Sequence, residues 1–171
     1  MNNNNLKQSI NPYFITGFCD GEACFTVKLI KSNRHKAGWQ VIASFQIGLH
    51  AKDRALLEMF RAFLGGVGNI EKQGKDSIQY RVTSSKDLAV IVDHFDKYPL
   101  VTQKRADYEL FKKVVQMLSK KEHLTPDGFQ AIINLRASIN KGLSDRLIAA
   151  FPDTKPVPRP LVVDQEIKDP Y

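Results

Sequence analysis

Cysteine is scarce: Cys19 and Cys24 are the only two in 171 residues. Their number and spacing exclude a disulfide framework and a thiolate zinc site, and they fit a reducing compartment. His35, His50, His94 and His123 are scattered without metal-ligand spacing and read as surface or packing residues. No apolar run approaches the ~18 residues of a membrane span. Met1 to Asn5 are polar and carry no secretory core. No Ser-His-Asp or Cys-His set stands out for nucleophilic catalysis. Gly65–Gly66–Val67–Gly68 lacks the spacing of a phosphate-binding loop and reads as a turn between helix and strand.

Positive charge, by contrast, is in excess. Lys and Arg number 25 against 18 Asp and Glu, giving a net charge of +7 and a pI near 9.4. Such an excess serves solubility, but it also suits a polyanionic partner, nucleic acid before membrane. The apolar share of 43% is that of an ordinary globular chain, and the length favours one domain.

The spacing of apolar residues sets the element order. Residues 1–8 read as a flexible leader. Asn11 as N-cap with Pro12 behind it starts a short helix through about Gly21. From Cys24 the period becomes two: Phe25, Val27 and Leu29 share one face, Cys24, Thr26, Lys28 and Ile30 the other. After a basic, polar loop from Lys31 to Gly38, Trp39 to Leu49 alternates again. Val41, Ala43, Phe45, Ile47 and Leu49 point inward; Gln40, Ile42, Ser44, Gln46 and Gly48 point outward. Lys52 to Leu64 has helical spacing. Val67–Gln73 and Ser77–Thr83 form a second hairpin turning at Gly74–Lys75–Asp76. Ser85 is expected to cap a helix that Pro99 stops. Helices follow over Gln103–Lys120, Thr125–Asn140 and Ser144–Ala150. Pro152, Pro156, Pro158 and Pro160 mark 152–171 as an extended tail or linker. The order α-β-β-α-β-β-α plus further helices predicts an α+β fold, a curved antiparallel sheet covered by helices on one face.

The uncovered face then carries hydrogen-bonding side chains. They are Thr26, Lys28, Gln40, Ser44 and Gln46 on the first hairpin, and Asn69, Glu71, Gln73, Gln79, Arg81 and Thr83 on the second. Gln and Asn can pair with adenine, Arg and Lys with guanine, and Glu can accept from cytosine, and a β-ribbon fits the major groove. A solvated sheet face would look much the same. The loop bearing Lys31, Ser32, Arg34, His35 and Lys36 favours DNA. A protein-binding scaffold would show apolar residues here, and only Ile30 and Ile42 qualify.

The first helix holds the second feature. Gly17 and Gly21 lie four apart, on one face. Each costs a helix roughly 1 kcal/mol, a cost that close approach of another helix would offset. Glu22 stands at the helix end, where the macrodipole disfavours an acid unless a cation joins it. An ordinary exposed carboxylate is the plainer reading of Glu22.

The segment Ile15–Thr16–Gly17–Phe18–Cys19–Asp20–Gly21–Glu22–Ala23 resembles the nine-residue signature of LAGLIDADG homing endonucleases. The element order resembles that family's repeat from Ile10 to Ala150, making 9–151 one repeat. Further similar segments are Phe45–Gln46–Ile47, His94 to Leu100, Thr102–Gln103–Lys104 and Lys121 to Leu124; they are most similar to the fungal mitochondrial branch, whose members usually carry two repeats. The resemblance implies that two signature helices pack side by side, with Glu22 and the Gly21 carbonyl as metal ligands. It implies Lys104 near the scissile phosphates, and base contacts from the sheet face, Cys24 to Ile30 and Gln40 to Gln46 included. It implies double-stranded DNA as substrate and Mg²⁺, or Ca²⁺ or Mn²⁺ in its place, as cofactor. It further implies a homodimer or a second repeat as partner, and a mitochondrial matrix location, although no transit peptide is seen. An RNA-splicing maturase, or another binding relative without cleavage, is the alternative. The signature's last position is usually Gly, and Ala23 is expected to strain the turn into the first strand if a positive φ or a tight backbone approach is needed there. Ile167–Lys168–Asp169–Pro170–Tyr171 echoes Ser9–Ile10–Asn11–Pro12–Tyr13, as if a second repeat were about to begin.

Overall fold

A computed structural model describes residues 10–162; the expectations for 1–8 and for the echo at 167–171 lie outside the described residues. Helix α1 (Pro12–Glu22) leads into β1 (Ala23–Lys31) and β2 (Trp39–His50). Helix α2 (Arg54–Phe63) precedes β3 (Asn69–Lys72) and β4 (Ser77–Val82). Helices α3 (Ser85–Lys97), α4 (Lys104–Ser119), α5 (Pro126–Arg136) and α6 (Asp145–Ala150) follow. The four strands form one antiparallel sheet in the order β1-β2-β4-β3. The α+β expectation holds.

Local chemistry explains the boundaries. Asn11 accepts from Tyr13 N at 2.9 Å, and Pro12 fixes the first turn of α1. Ser84, not Ser85, caps α3; its hydroxyl accepts from Asp87 N at 3.1 Å. Two serines in a row leave the choice to backbone geometry, and Ser84 is the one held extended. The α2 helix starts later than its apolar spacing indicates, because Ala51–Asp53 form a 3₁₀ turn. The α5 helix stops at Arg136 rather than Asn140, which adopts φ +52°. There its backbone N–H meets Asp107 Oδ1 at 2.7 Å and its amide meets Phe25 O at 2.8 Å.

The inward strand residues are those the alternation marked. Phe25, Val27, Ala43, Phe45, Ile47, Ile78, Tyr80 and Val82 are buried against helical residues such as Leu57, Phe95 and Phe111. Phe25 touches Phe45, Phe95, Tyr108 and Phe111 with ring centroids 5.2–5.5 Å apart. A smaller cluster of Leu29, Phe129, Ile133 and Leu147 joins α5 and α6 to the far end of the first hairpin. The outer edge of β1 is covered by side chains: Arg136 Nε donates to Val27 O at 2.7 Å, beside the Asn140 bond to Phe25 O. Covered edges cannot recruit stray strands. From 153 to 162 the described residues form no helix or strand, and they are fastened. Asn134 Oδ1 accepts from Lys155 N, Ser138 Oγ donates to Val157 O, and Arg159 pairs with Asp107.

Helix α1 is seated from below by a buried polar contact. Thr16 Oγ1 donates to Tyr98 O at 2.9 Å and lies 3.1 Å from His94 Nε2. The hydroxyl has one proton, so His94 donates to it, in the tautomer protonated at Nε2. Burial pushes the His94 imidazole down from 6.5 to about 4. Between those values the unfolded chain binds a proton that the native protein does not. Stability therefore falls as pH drops from 6.5 towards 4, by up to roughly 1.4 kcal/mol per unit from this group. Urea titrations between pH 7 and 4.5 should show a shallower dependence for His94→Gln than for wild type. Identical slopes would remove His94 from the account.

Candidate functional site

The two faces of α1 differ sharply. Ile15, Thr16 and Cys19 are buried. On the other side Tyr13 is 61% and Phe14 50% exposed, and Gly17 and Gly21 are exposed with open space where each Cβ would stand. The pair of glycines thus shares a bare helix face, adjoined by aromatic side chains of which Phe14 and Phe18 also pack on Phe60.

Glu22 is exposed at the last position of α1, where the chain passes directly into β1. Ala23 is extended, φ −80° and ψ 157°, and 4% exposed. The strained turn expected there is absent, because the helix enters the strand through ordinary extended geometry that any residue adopts.

Two long-range contacts fix this helix end. The Asp20 carboxylate accepts from Val101 N at 2.9 Å, Thr102 N at 3.3 Å and Thr102 Oγ1 at 2.7 Å. Thr102 Oγ1 in turn accepts from Lys104 N at 3.2 Å. Asp20 thereby holds the turn that launches α4, and Lys104, its first residue, reaches back so that Nζ meets Cys19 O at 3.0 Å. Cys19 O also accepts the Ala23 N–H. A cation on the carbonyl end of a helix is favoured by the macrodipole, and this one sits a single turn from Glu22. Sequence reasoning singled out Glu22 and Lys104 and not Asp20, whose partners lie more than eighty positions away. Burial pushes the Cys19 thiol up to about 12, so it is no nucleophile.

Among the described residues no three His, Cys, Asp or Glu side chains cluster as a metal cage. What the helix end offers is one carboxylate beside an exposed glycine backbone. These are hard oxygen donors, suited to Mg²⁺, Ca²⁺ or Mn²⁺ and too few to hold one alone. The donor set fits a shared divalent site to which each of two helices contributes.

On the uncovered sheet face the strand register sets rows. Cys24, Gln46, Arg81 and Asn69 stand side by side, as do Gly48, Gln79 and Glu71. Thr26 faces Ser44, Lys28 faces Ile42, and Ile30 faces Gln40. Cys24, Lys28, Ile30, Gln40, Asn69 and Glu71 are exposed; Thr26, Ile42, Gln46, Gln79 and Arg81 are partly so. Ser44 departs from the expectation: it has no exposed surface. Its hydroxyl lies 2.6 Å from Thr26 Oγ1 and accepts from Gln46 Nε2 at 2.7 Å, while Gln46 Oε1 accepts from Gln79 Nε2 at 3.2 Å. Ser44 therefore holds Thr26 and Gln46 in place and cannot itself touch a ligand. Gln73 and Thr83 are exposed just beyond the ends of β3 and β4. Loop residues Arg34 and Lys36 are exposed, and Ser32 Oγ is tied to His35 Nδ1 at 2.8 Å. Arg146, which drew no attention in the sequence, stacks over Trp39 together with Lys31, at 5.8 and 5.7 Å from the ring centroid. No helix among the described residues is long and apolar enough to cross a membrane.

The comparisons with known proteins agree with this arrangement. The family model for the LAGLIDADG endonuclease matches residues 15–115. A probable intron-encoded endonuclease 3 of Neurospora crassa is 40% identical over 169 residues, covering 98% of this chain and 32% of its own length. An uncharacterised 50.9 kDa protein in ND4 intron 1 of Podospora anserina is 49% identical over 119 residues, 68% of this chain and 26% of its own. The solved LAGLIDADG meganuclease I-CpaMI bound to uncleaved DNA superposes with TM-score 0.89 at 44% identity, covering 95% of this chain and 55% of that one. I-SmaMI bound to an uncleaved DNA target in the presence of calcium ions gives 0.89 at 46% identity, covering 94% and 55%. The chain thus spans between a quarter and a third of these curated relatives and about half of the solved proteins. By its matched signature helix and its sheet, this chain belongs to the LAGLIDADG endonuclease family.

Proposed function

We propose that this chain is one repeat of a homing endonuclease that cuts double-stranded DNA at a specific sequence with divalent metal. The observation that carries the reading is the end of α1: an exposed Glu22 and Gly21, one turn from the Lys104 ammonium, beside a helix face left bare for a second helix. Each part has one role. The sheet face and the Arg34–Lys36 loop bind the duplex, bases by the sheet and phosphates by the loop. Glu22 and the Gly21 carbonyl hold the cation, most simply Mg²⁺, with Ca²⁺ or Mn²⁺ able to take its place. When bound, such an ion lowers the pKa of water and stabilises charge on a leaving oxygen. The Lys104 ammonium would donate hydrogen bonds to the phosphate oxygens as negative charge develops there. Its present acceptor, Cys19 O, keeps it extended along the helix end.

One helix end supplies one carboxylate, and cutting both strands needs two centres. The partner is therefore a second signature helix, in a homodimer or in a second repeat of a longer chain. Gly17 and Gly21 allow its backbone to approach closely. The relative named for ND4 intron 1 supports a mitochondrial setting, with the matrix as the proposed site of action. Ala23 kept open the alternative, a binding relative without cleavage such as an RNA-splicing maturase; its extended geometry removes backbone strain as a reason for that reading.

Glu22→Gln keeps the shape and removes the charge that holds the cation. Cleavage in Mg²⁺ should fall by roughly a hundredfold or more, with DNA affinity nearly unchanged. Plasmid nicking at the wild-type rate would remove Glu22 from the site. Base and phosphate contacts separate in a second experiment. Arg81→Ala should cost about 1–3 kcal/mol at one or two base positions, whereas Lys36→Ala should weaken all sequences alike and lower the salt slope by about 1. Binding across a library of singly substituted sites measures both, and an unchanged base preference in Arg81→Ala would defeat its assignment.

A further inference from the structure

The polar network on the uncovered sheet face has a direction. Ser44 has no exposed surface. Among the described residues its hydroxyl is bonded to Thr26 Oγ1 at 2.6 Å and Gln46 Nε2 at 2.7 Å. Gln79 Nε2 extends the chain to Gln46 Oε1 at 3.2 Å. The two end members, Thr26 and Gln79, are partly exposed. They stand on β1 and β4, with β2 between them, and in different cross-strand rows.

Each contact holds one proton, so the donors run one way along the whole chain. Gln46 donates to Ser44. The buried Ser44 proton is costly to leave without an acceptor, and it goes to Thr26 Oγ1. The proton of Thr26 is thereby released outward; the internal acceptor it reaches is Ser44 O, at 3.4 Å. At the other end Gln79 spends an N–H on Gln46 and keeps its oxygen free. Turning both amides over reverses the order and keeps every contact. Thr26 then donates to Ser44, Ser44 to Gln46 Oε1, and Gln46 Nε2 to Gln79 Oε1. In that order Thr26 has only lone pairs to offer, and Gln79 presents its NH₂. A mixed order sets two donors or two acceptors against each other at one contact. Because Ser44 is covered, no outside group can repair the mismatch there.

We infer that Thr26 and Gln79 read their two base positions as one unit, with Ser44 and Gln46 passing the polarity of the hydrogen bonds between them. The inference rests on the DNA-binding reading above. Thr26 can donate outward only in the first order, so an acceptor such as guanine O6 or thymine O4 at its position calls for the Gln79 oxygen at the other. That oxygen suits the amino group of adenine or cytosine. An amino group at the Thr26 position allows the reverse order, in which the Gln79 NH₂ suits an acceptor edge. Ser44 touches no base in either order and is a positioning residue.

The test uses the full chain and the best-bound duplex selected by the wild-type protein from a randomised DNA library. Binding profiles of Thr26→Val and Gln79→Leu across singly substituted sites identify the two positions. Sites that exchange donor and acceptor edges at one position, at the other and at both are then compared. For wild type, the doubly exchanged site should bind about fivefold more tightly than the product of the two single effects. In Ser44→Ala the two effects should multiply without excess, while Arg81→Ala leaves the excess in place. Gln46→Met cuts the same chain at another joint, should also abolish the excess, and decides alone if Ser44→Ala misfolds by thermal melt. Independent effects in wild type, or an excess that survives in Gln46→Met and in folded Ser44→Ala, overturn the inference alone. So does a Thr26→Val or Gln79→Leu protein with unchanged base preferences. Failure of the wild-type protein to bind any duplex overturns the DNA-binding reading, and this inference with it.

Discussion

The contact between the Asp20 carboxylate and the turn Val101–Thr102 joins the two parts of the molecule that the proposed chemistry brings together. The helix carrying Glu22 lies at the start of the chain, and the helix carrying Lys104 lies beyond the sheet. Nothing local brings them together. Asp20 accepts from two backbone amides and one hydroxyl of that turn, and the orientation of α4 then puts the Lys104 ammonium on Cys19 O. Below, the Thr16–His94–Tyr98 contact fixes the height of the same helix over the sheet. With α1 held on two sides, its glycine face is left as the side free to meet another helix. Loss of either tie would leave the fold largely intact and the geometry at Glu22 undefined.

The sheet presents a surface that is organised before any ligand arrives. Thr26, Ser44, Gln46 and Gln79 form a connected chain of hydrogen bonds. Such a network restricts rotamers and reduces the entropy lost when the side chains meet base edges. In the proposed DNA complex Gln46 would exchange internal bonds for external ones, so its contribution to affinity would be smaller than a free glutamine's.

Much of this was legible in the sequence, for identifiable reasons. The inward set from Phe25 to Val82 follows from strict alternation, because a one-residue slip would bury Thr26 and Gln46 and expose Phe45. The α1 start was fixed by Asn11 and Pro12, whose chemistry is local. Ser84 against Ser85 was not decidable from composition, since both can cap and only backbone geometry chooses. Ser44 alternated correctly yet proved covered, because cross-strand hydrogen bonding to Thr26 fills the space above it. The contacts of Asp20 and Arg146 were not anticipated. Their partners are distant in sequence or belong to turns that pack only once the sheet exists. The helix-end position and the family resemblance pointed to Glu22, and the resemblance alone to Lys104, as candidates; what the structure adds is the physical path that connects them.

The central claim is that one chain carries half of a cleavage centre, and that two signature helices are required for each cut duplex. Light scattering of the protein on its selected DNA, in Mg²⁺, with the two strands' cutting followed in the same sample, tests this most directly. The account predicts that both strands are cut only when the mass on the duplex corresponds to two signature helices, from two copies or from one copy with an added second repeat. A strictly single chain on the duplex that still cuts both strands at one site would contradict it.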